Sequence, residues 1–218
     1  MSSNTPSSSL SARQTAVSII CSVHQHGKSL TEALKLGENL DPRDRAFCSE
    51  LCYGTIRWFD RLEAILNFLL KKPFKPKDID ITVLALVGLY QIIYLNTPDH
   101  AAVSETINAS KKGKKSWAKG VLNGVLRRFL REREHIEHVV DEELNQKFSH
   151  PQWLINSIEK DWGDELCNIL EANNQRPPMS IRVNQDKITR EDYLHQLQES
   201  QIETTNHPFN KVGLTLKQ

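Results

Sequence analysis

The sequence predicts a bundle of α-helices followed by the beginning of an α+β domain. Two observations lead to this fold class. Through the first two thirds of the 218 residues, apolar side chains recur at spacings of three and four, the period of an amphipathic helix. The apolar and polar alternation that is typical of a strand first occurs at residues 179–184. A composition of 39% hydrophobic and 25% charged residues is ordinary for a globular protein with a sizeable core.

The helices of the first part are predicted from their starts, their stops and their period. Ser and Asp-Pro pairs stand where helices begin, and glycines stand where they end. The segment that reads IDITVLALVGLYQIIYL is apolar on almost all sides and too long for a strand, which predicts a central helix surrounded by others. The predicted helices are Ser11 to Gly27, Ser29 to Gly37, Asp41 to Gly54, Trp58 to Leu70, Asp78 to Leu95, Thr97 to Gly113, and one from Ser116 onward.

The chain changes character after residue 141. Two further helices are expected, one behind Ser149-His150-Pro151 and one around Leu166. A strand at Met179 to Asn184, a helix from Thr189 to Gln198 and a second strand near the end form a βαβ-like beginning with too few strands for a stable sheet. We expect a disordered tail at 1–10, a helical domain at 11–141, connecting helices at 142–178 and an incomplete α+β domain at 179–218.

The stretch from Lys111 to Arg133 holds nine Lys or Arg and one Glu, a local charge of 9 − 1 = +8 in a chain of net charge +1. Cations at a helix start are unfavourable by about 0.3–1 kcal/mol each, so their crowding there indicates an anion site, and phosphate is the anion that best fits it. A solvated surface loop beside an ordinary amphipathic helix is the alternative. The candidate RNA-binding residues of this stretch are Lys111, Lys112, Lys114, Lys115, Lys119, Arg127, Arg128 and Arg131.

Two other features of this predicted helix bear on its role. Gly120 and Gly124 lie on its outer side and cost it about 1 kcal/mol each relative to Ala, which indicates close approach of a ligand or of a neighbouring helix. Trp117 and Phe129 lie on the apolar stripe, so both are expected to be buried rather than to stack on bases. Recognition of the RNA backbone is therefore expected.

Other classes of site are not indicated by the sequence. The four cysteines form no C-x-x-C pair, and the histidine pairs lack partners at metal-site spacing, so we expect buried reduced thiols and no metal. No apolar segment is long enough to span a bilayer, and the N-terminus has no apolar signal segment. A cytoplasmic protein without a membrane partner is expected.

Three stretches together resemble the all-helical RNA-binding fold of the antitermination factor NusB, namely RDRAFCSELCYGTIRWFDRLEAIL, TVLALVGLYQIIYLNTPDHAAVSETI and KSWAKGVLNGVLRRF. The continuation HPQWLINSIEKDWGDELCNILEANNQRPPMSIRVN resembles the ribosomal small-subunit RNA methyltransferase B family, also called Sun or Fmu. This resemblance implies a NusB-like bundle followed by the start of a truncated ferredoxin-like or RRM-like domain. It also implies that Arg13 and Arg57 extend the basic track, although ion pairs with residues such as Asp60 are an equal alternative.

The resemblance further implies an enzyme that transfers a methyl group from S-adenosylmethionine to carbon 5 of a cytosine in small-subunit rRNA. In that family the cofactor domain and its two cysteines lie downstream, and this sequence has no Gly-rich turn after a strand and no Pro-Cys site. We therefore expect no catalytic residue and no cofactor in this chain, which would be inactive alone. The expected function is RNA binding and substrate positioning for such a methyltransferase.

Two other functions stay open on the sequence. One is a free-standing NusB-type antitermination factor that binds RNA and a ribosomal protein partner, although such a factor needs no extension beyond His150. The other is a bundle that only binds proteins. An RNA shift assay separates this last possibility from the first two.

Overall fold

The computed structural model describes residues 10–95, 97–110, 115 and 117–217, so all but Leu10 of the predicted disordered tail lies outside the described residues. The described chain divides into two compact units, which meet in sequence between Leu170 and Glu171. The first unit is helical. Its helices are α1 (Ala12–His26), α2 (Leu30–Ala33), α3 (Pro42–Arg57), α4 (Phe59–Leu69), α5 (Ile79–Tyr94), α6 (Asp99–Ala109), α7 (Ala118–Val140), α8 (Leu144–Lys147) and α9 (Gln152–Trp162). The boundary between the two units falls within α10 (Leu166–Asn174).

Helix α1 shows why the predicted starts and stops were informative. Ser11 and Gln14 form a reciprocal capping box at its beginning, and Gly27 ends it in the left-handed conformation with φ 61°. Asp41 caps α3 in the same way, accepting hydrogen bonds from the amides of Arg43 and Asp44. These side-chain caps fix where α1 and α3 begin.

Helix α5 is the centre of the first unit, as its all-round apolar sequence predicted. It packs against α1, α3, α4, α6 and α7, and eleven of its residues are buried. Tyr90 crosses to α3, where its hydroxyl donates a 2.7 Å hydrogen bond to Glu50. A Cβ at Gly54 would overlap the Tyr90 ring, so only glycine lets α3 and α5 approach this closely.

Arg61 joins α4 to the C-terminal half of α7 and to α8. The residue is only 9% exposed, and its Nη1 lies 2.5 Å from Asp141 Oδ1. The same nitrogen donates to the carbonyl of Lys147 at 3.3 Å, and Nη2 lies 3.9 Å from Glu137. A buried guanidinium on α4 thus holds α7 and α8 in place through oxygens of both.

The four cysteines differ in their surroundings. Cys48 and Cys52, one turn apart on α3, are 1% and 0% exposed, which confirms their predicted burial. Cys21 is half-buried on α1, and burial raises the pKa of its thiol to about 11. Cys167 on α10 is exposed, contrary to the expectation that all four are buried. All four are reduced.

The second unit contains β1 (Met179–Arg182), α11 (Arg190–Glu199), β2 (Thr204–Asn206) and β3 (Gly213–Leu216). Its sheet has the order β1-β3-β2, and both outer strands run antiparallel to β3, with Ile181 opposite Leu214 and Thr205 opposite Thr215. Strands β1 and β2 are therefore parallel to each other, joined by α11 and separated by β3. This is the split βαβ arrangement of ferredoxin-like domains. It confirms the predicted start of an α+β domain.

The second unit has a small core of its own. Val183, Leu197 and Leu214 are buried, and Tyr193 and Leu216 pack against them. Thr189 caps α11 by accepting a hydrogen bond from the amide of Asp192. Among the described residues β1 and β2 are the edge strands of this sheet. The sheet has three strands where the sequence predicted two, because β2 was not predicted.

Candidate nucleic-acid interface

The segment between α4 and α5 carries a row of exposed cations. It reads LKKPFKPKD over residues 70–78, and Pro73 and Pro76 prevent it from continuing either helix. The last three residues, Pro76–Asp78, form a 3-10 turn that leads into α5. The cations of this loop, all of them exposed, are Lys71, Lys72, Lys75 and Lys77. These four lysines were not among the residues predicted to bind RNA, although a basic cluster with an interleaved phenylalanine is a sequence pattern that indicates nucleic-acid binding.

This loop forms a groove with the N-terminal half of α7. One part of the groove has a volume of about 390 Å3 and is lined by the end of α4, Lys71, Lys72 and Phe74 on one side and by Val121, Gly124, Val125 and Arg128 on the other. A second part of about 340 Å3 is lined by Pro73, Phe74, Lys75, Lys77, Asp78 and Trp117. Phe74 belongs to both parts. We call this surface the basic groove.

Two glycines leave the outer side of α7 bare. Gly120 and Gly124 are exposed, and a Cβ built on either would have no described atom within 4 Å. A neighbouring helix, one of the two explanations expected for these glycines, is therefore absent from the part of the chain that the structure describes. The other explanation, close approach of a ligand to the helix backbone, stays a prediction.

Trp117 corrects one expectation, whereas Phe129 confirms it. Phe129 is fully buried, but Trp117 is 48% exposed and Val121 is 37% exposed. The reason is that α7 begins at Ala118, so Trp117 lies before the first helical turn and faces the loop instead of the helical core. Its ring centroid lies 6.1 Å from that of Phe74, with the two planes inclined at 53°. An exposed Trp117 beside a half-buried Phe74 thus lies inside the basic groove.

Lys115 is not a surface cation of the kind that the sequence indicated. Its Nζ lies 2.9 Å from Asp78 and 2.5 Å from Asp80, and it donates to the carbonyl of Lys77 at 2.9 Å. Burial by itself lowers the pKa of Lys115, but the hydrogen bonds to Asp80 and Asp78 outweigh it and raise that pKa above its usual value. Lys115 therefore ties the chain before α7 to the start of α5, and it pairs with Asp78, the carboxylate of the basic groove.

The three candidate arginines of α7 have different environments. Arg128 pairs with Glu132 at 3.0 Å, donates to the carbonyl of Leu69 at 3.2 Å and lies over the Phe68 ring. It thereby caps the end of α4 while it lines the basic groove. Arg127 donates to Asn123 at 2.8 Å and lines a separate groove of about 410 Å3 against α6. Arg131 is exposed.

The remaining candidates are spread over the molecule. Arg13 is half-buried, donates from Nε to Gln91 at 2.9 Å and lies 5.0 Å from the centre of the Phe47 ring. Burial lowers its pKa, while Glu105 and Asp44 act to raise it. Arg57 is half-buried at the end of α3, and no ion pair joins either arginine to Asp60 within the described residues. Lys119 is exposed on α7. The candidates Lys111, Lys112 and Lys114 lie outside the described residues.

Two other kinds of feature are absent from the residues that the structure describes. Among the residues that the structure describes, no three His, Cys, Asp or Glu side chains are grouped so that they could hold a metal ion. In the same part of the chain, no helix is long and apolar enough to cross a membrane.

Comparison with protein families identifies two regions. Residues 10–131 match the NusB family, and residues 150–218 match the ferredoxin-like domain of RsmF/B-like methyltransferases. The first match ends next to Glu132, where α7 departs from helical geometry with φ −114° and ψ 17°. The second match includes the whole split βαβ unit.

Similar curated proteins extend both matches. The chain is 38% identical over 208 residues to the probable ribosomal RNA small subunit methyltransferase B of Coxiella burnetii, a match that covers 95% of this chain and 47% of the relative. It is 40% identical over 179 residues to ribosomal RNA small subunit methyltransferase B of Pseudomonas putida, covering 82% and 41%. The chain thus spans about half the length of the relatives that it matches.

A solved structure supports the fold. The crystal structure of PH0851 aligns with a TM-score of 0.59 over 96% of this chain and 49% of that chain, at 15% identity. At that identity the likeness shows the fold alone. Taken together, the family matches and the relatives show that the chain belongs to the NusB family and carries the N-terminal region of the ribosomal RNA small subunit methyltransferase B family, with its NusB and ferredoxin-like domains in that order.

Proposed function

We propose that this chain is the RNA-binding, substrate-positioning region of a small-subunit rRNA cytosine-C5 methyltransferase. The observation that carries the proposal is the basic groove, where the four exposed lysines of the α4–α5 loop face the bare side of α7. The match to the ferredoxin-like domain favours this function over a free-standing antitermination factor.

The electrostatics of the groove suit a phosphate backbone. Its acidic lining residue, Asp78, shares Lys115 with Asp80. The four lysines of the loop and Lys115 together with Asp78 and Asp80 leave a local charge of 5 − 2 = +3. Lysines on a surface loop bind phosphate as point charges and release the counterions of the nucleic acid. Beside them, the exposed backbone at Gly120 and Gly124 lets a strand approach α7 without meeting side chains.

The chemistry of the reaction explains why such a region is useful. A cytosine within folded rRNA must leave its stack to reach an active-site pocket, and backbone contacts must hold the surrounding RNA in register while it does so. We propose that the basic groove supplies those contacts. The target base would react in a part of the enzyme other than the residues described.

S-adenosylmethionine is the cofactor implied for the full-length enzyme, since it supplies the methyl group. The described residues do not fit it. The one strand-to-helix connection, from β1 to α11, reads VNQDKIT and has no glycine, whereas a nucleotide-type cofactor needs a Gly-rich turn at that point. No step of the reaction is therefore assigned to this chain.

A salt titration of RNA affinity tests the proposal. If about four lysines contact phosphates, log K should fall with log salt at a slope of about −3, taking about 0.7 to 0.9 for each contact. Replacing Lys71, Lys72 and Lys75 by Ala should flatten that slope by about two to three and weaken all sequences alike.

The matched control removes the same charge elsewhere. Lys35, Lys160 and Lys187 are also exposed, and replacing them by Ala should leave the slope almost unchanged. Equal slopes for the two triple variants, both folded by circular dichroism, would show that the groove does not bind the backbone.

A further inference from the structure

We infer that Trp117 and Phe74 form a stacking site for one unpaired base of the bound RNA. The inference rests on the proposed function and names the form of RNA that the basic groove selects. It assigns a binding role to an aromatic side chain whose place in the sequence pattern predicts only burial.

The first support is the exposure and position of Trp117. Nearly half of its surface is open to solvent, at a point where the helix has not yet begun. Its ring rests against Phe74, which is half-buried and packs against the main core. An exposed indole held beside a ring that packs into the core offers aromatic surface on which a base can stack.

The second support is the charge around this pair. Lys75 and Lys77 line the same depression as Trp117, and Asp78, its acidic residue, pairs with Lys115 at 2.9 Å. An aromatic face with cations beside it can hold a base and its own phosphate together, which is how proteins bind single strands without reading their sequence.

The third support is that the site is held in place from both sides. Lys115 fixes the end of the loop by bonding to Asp80, Asp78 and the Lys77 carbonyl. Arg128 fixes the beginning of the loop by bonding to the Leu69 carbonyl. Since both ends are anchored, the stacking site loses little entropy when a nucleotide binds.

Stacking requires that the face of the base be accessible. In a duplex every base face is covered by its neighbours, whereas loops and bulges present open faces. The groove should therefore prefer the unpaired nucleotides of RNA loops and bulges beside an RNA duplex. In that context a cytosine is most easily displaced from its stack.

The experiment compares two RNA strands of equal charge. One is an unstructured oligouridylate of about eight nucleotides, and the other has the same backbone with the bases removed. The wild-type chain should bind the first about tenfold more tightly. Trp117→Leu should remove that difference while keeping the salt slope, and Trp117→Phe should restore most of it, since a phenyl ring also stacks.

Trp153→Leu is the matched control, because Trp153 on α9 is 71% exposed and lies outside the groove. It should keep the tenfold difference. If folded Trp117→Leu keeps the difference too, or if wild type binds both strands equally, the stacking inference is wrong while the backbone role stands. If wild type binds neither strand, the proposed function itself is overturned.

Discussion

Two sets of cations in the helical unit differ in what they bind. Lys71, Lys72, Lys75 and Lys77 lie exposed along a loop broken by prolines. Arg61, Lys115 and Arg128 each bond to a carboxylate and to a main-chain carbonyl of a distant segment. A charged side chain that forms ion pairs and hydrogen bonds within the fold is less available to a ligand than an exposed, unpaired one. Local charge density alone does not measure that availability.

The largest difference between the groups should appear in stability, and Arg61 is the sharpest case. Arg61→Met would leave Asp141, Glu137 and the Lys147 carbonyl without their shared cation. Removing one partner of a buried pair typically costs about 3–5 kcal/mol, and the partial exposure of both carboxylates reduces our expectation to about 2–3 kcal/mol. Urea unfolding followed by circular dichroism measures it. Lys71→Met should change the free energy of unfolding by less than about 0.5 kcal/mol. Similar losses in both variants would erase the distinction.

Lys115 should show a smaller effect in the same direction. Lys115→Met should cost about 1 kcal/mol, because the ion pairs with Asp78 and Asp80 are partly exposed, whereas Lys119→Met, four residues away, should cost almost nothing. The folded-state pKa of Lys115 is raised, so its contribution is complete below the ordinary lysine pKa of about 10.4 and is lost as pH rises through the raised value. Thermal melts of both variants at pH 7 and at alkaline pH provide the measurement. A Lys115 variant as stable as wild type at pH 7 would place this residue with the exposed lysines.

The smallest effect is expected at the bare side of α7, and its two parts have opposite signs. Gly124→Ala should stabilise the chain by about 0.5–1 kcal/mol, since the new methyl group meets open space on a helix. The same methyl group should weaken RNA binding two- to fivefold if a strand approaches the backbone there. Melting temperature and RNA affinity are measured on one preparation. Tighter or unchanged RNA binding in the stabilised variant would mean that nothing approaches α7 at this position.

The helices were predictable because their causes are local. Ser11 and Gly27 lie at the two ends of α1, next to the apolar residues of that helix. Helix α5 is apolar on almost all sides, which predicts a central position. The role of Lys115 was not predictable, because its partners Asp78 and Asp80 lie on another segment and are brought to it by the packing of α5. The exposure of Trp117 was missed for a related reason. The apolar spacing of α7 includes Trp117, but the helix itself begins at Ala118.

The reactivity of Cys48 and Cys52 reports local unfolding of the helical unit. Both thiols lie in the packed interior, 1% and 0% exposed, whereas Cys167 is open to solvent. A thiol reagent can modify Cys167 at once, but it reaches the pair on α3 only during the brief openings of that part of the bundle. The rate at which Cys48 and Cys52 are modified, relative to that of Cys167, therefore measures local unfolding around α3. RNA that binds only the folded bundle should lower the rate of modification of Cys48 and Cys52 without contacting either sulfur.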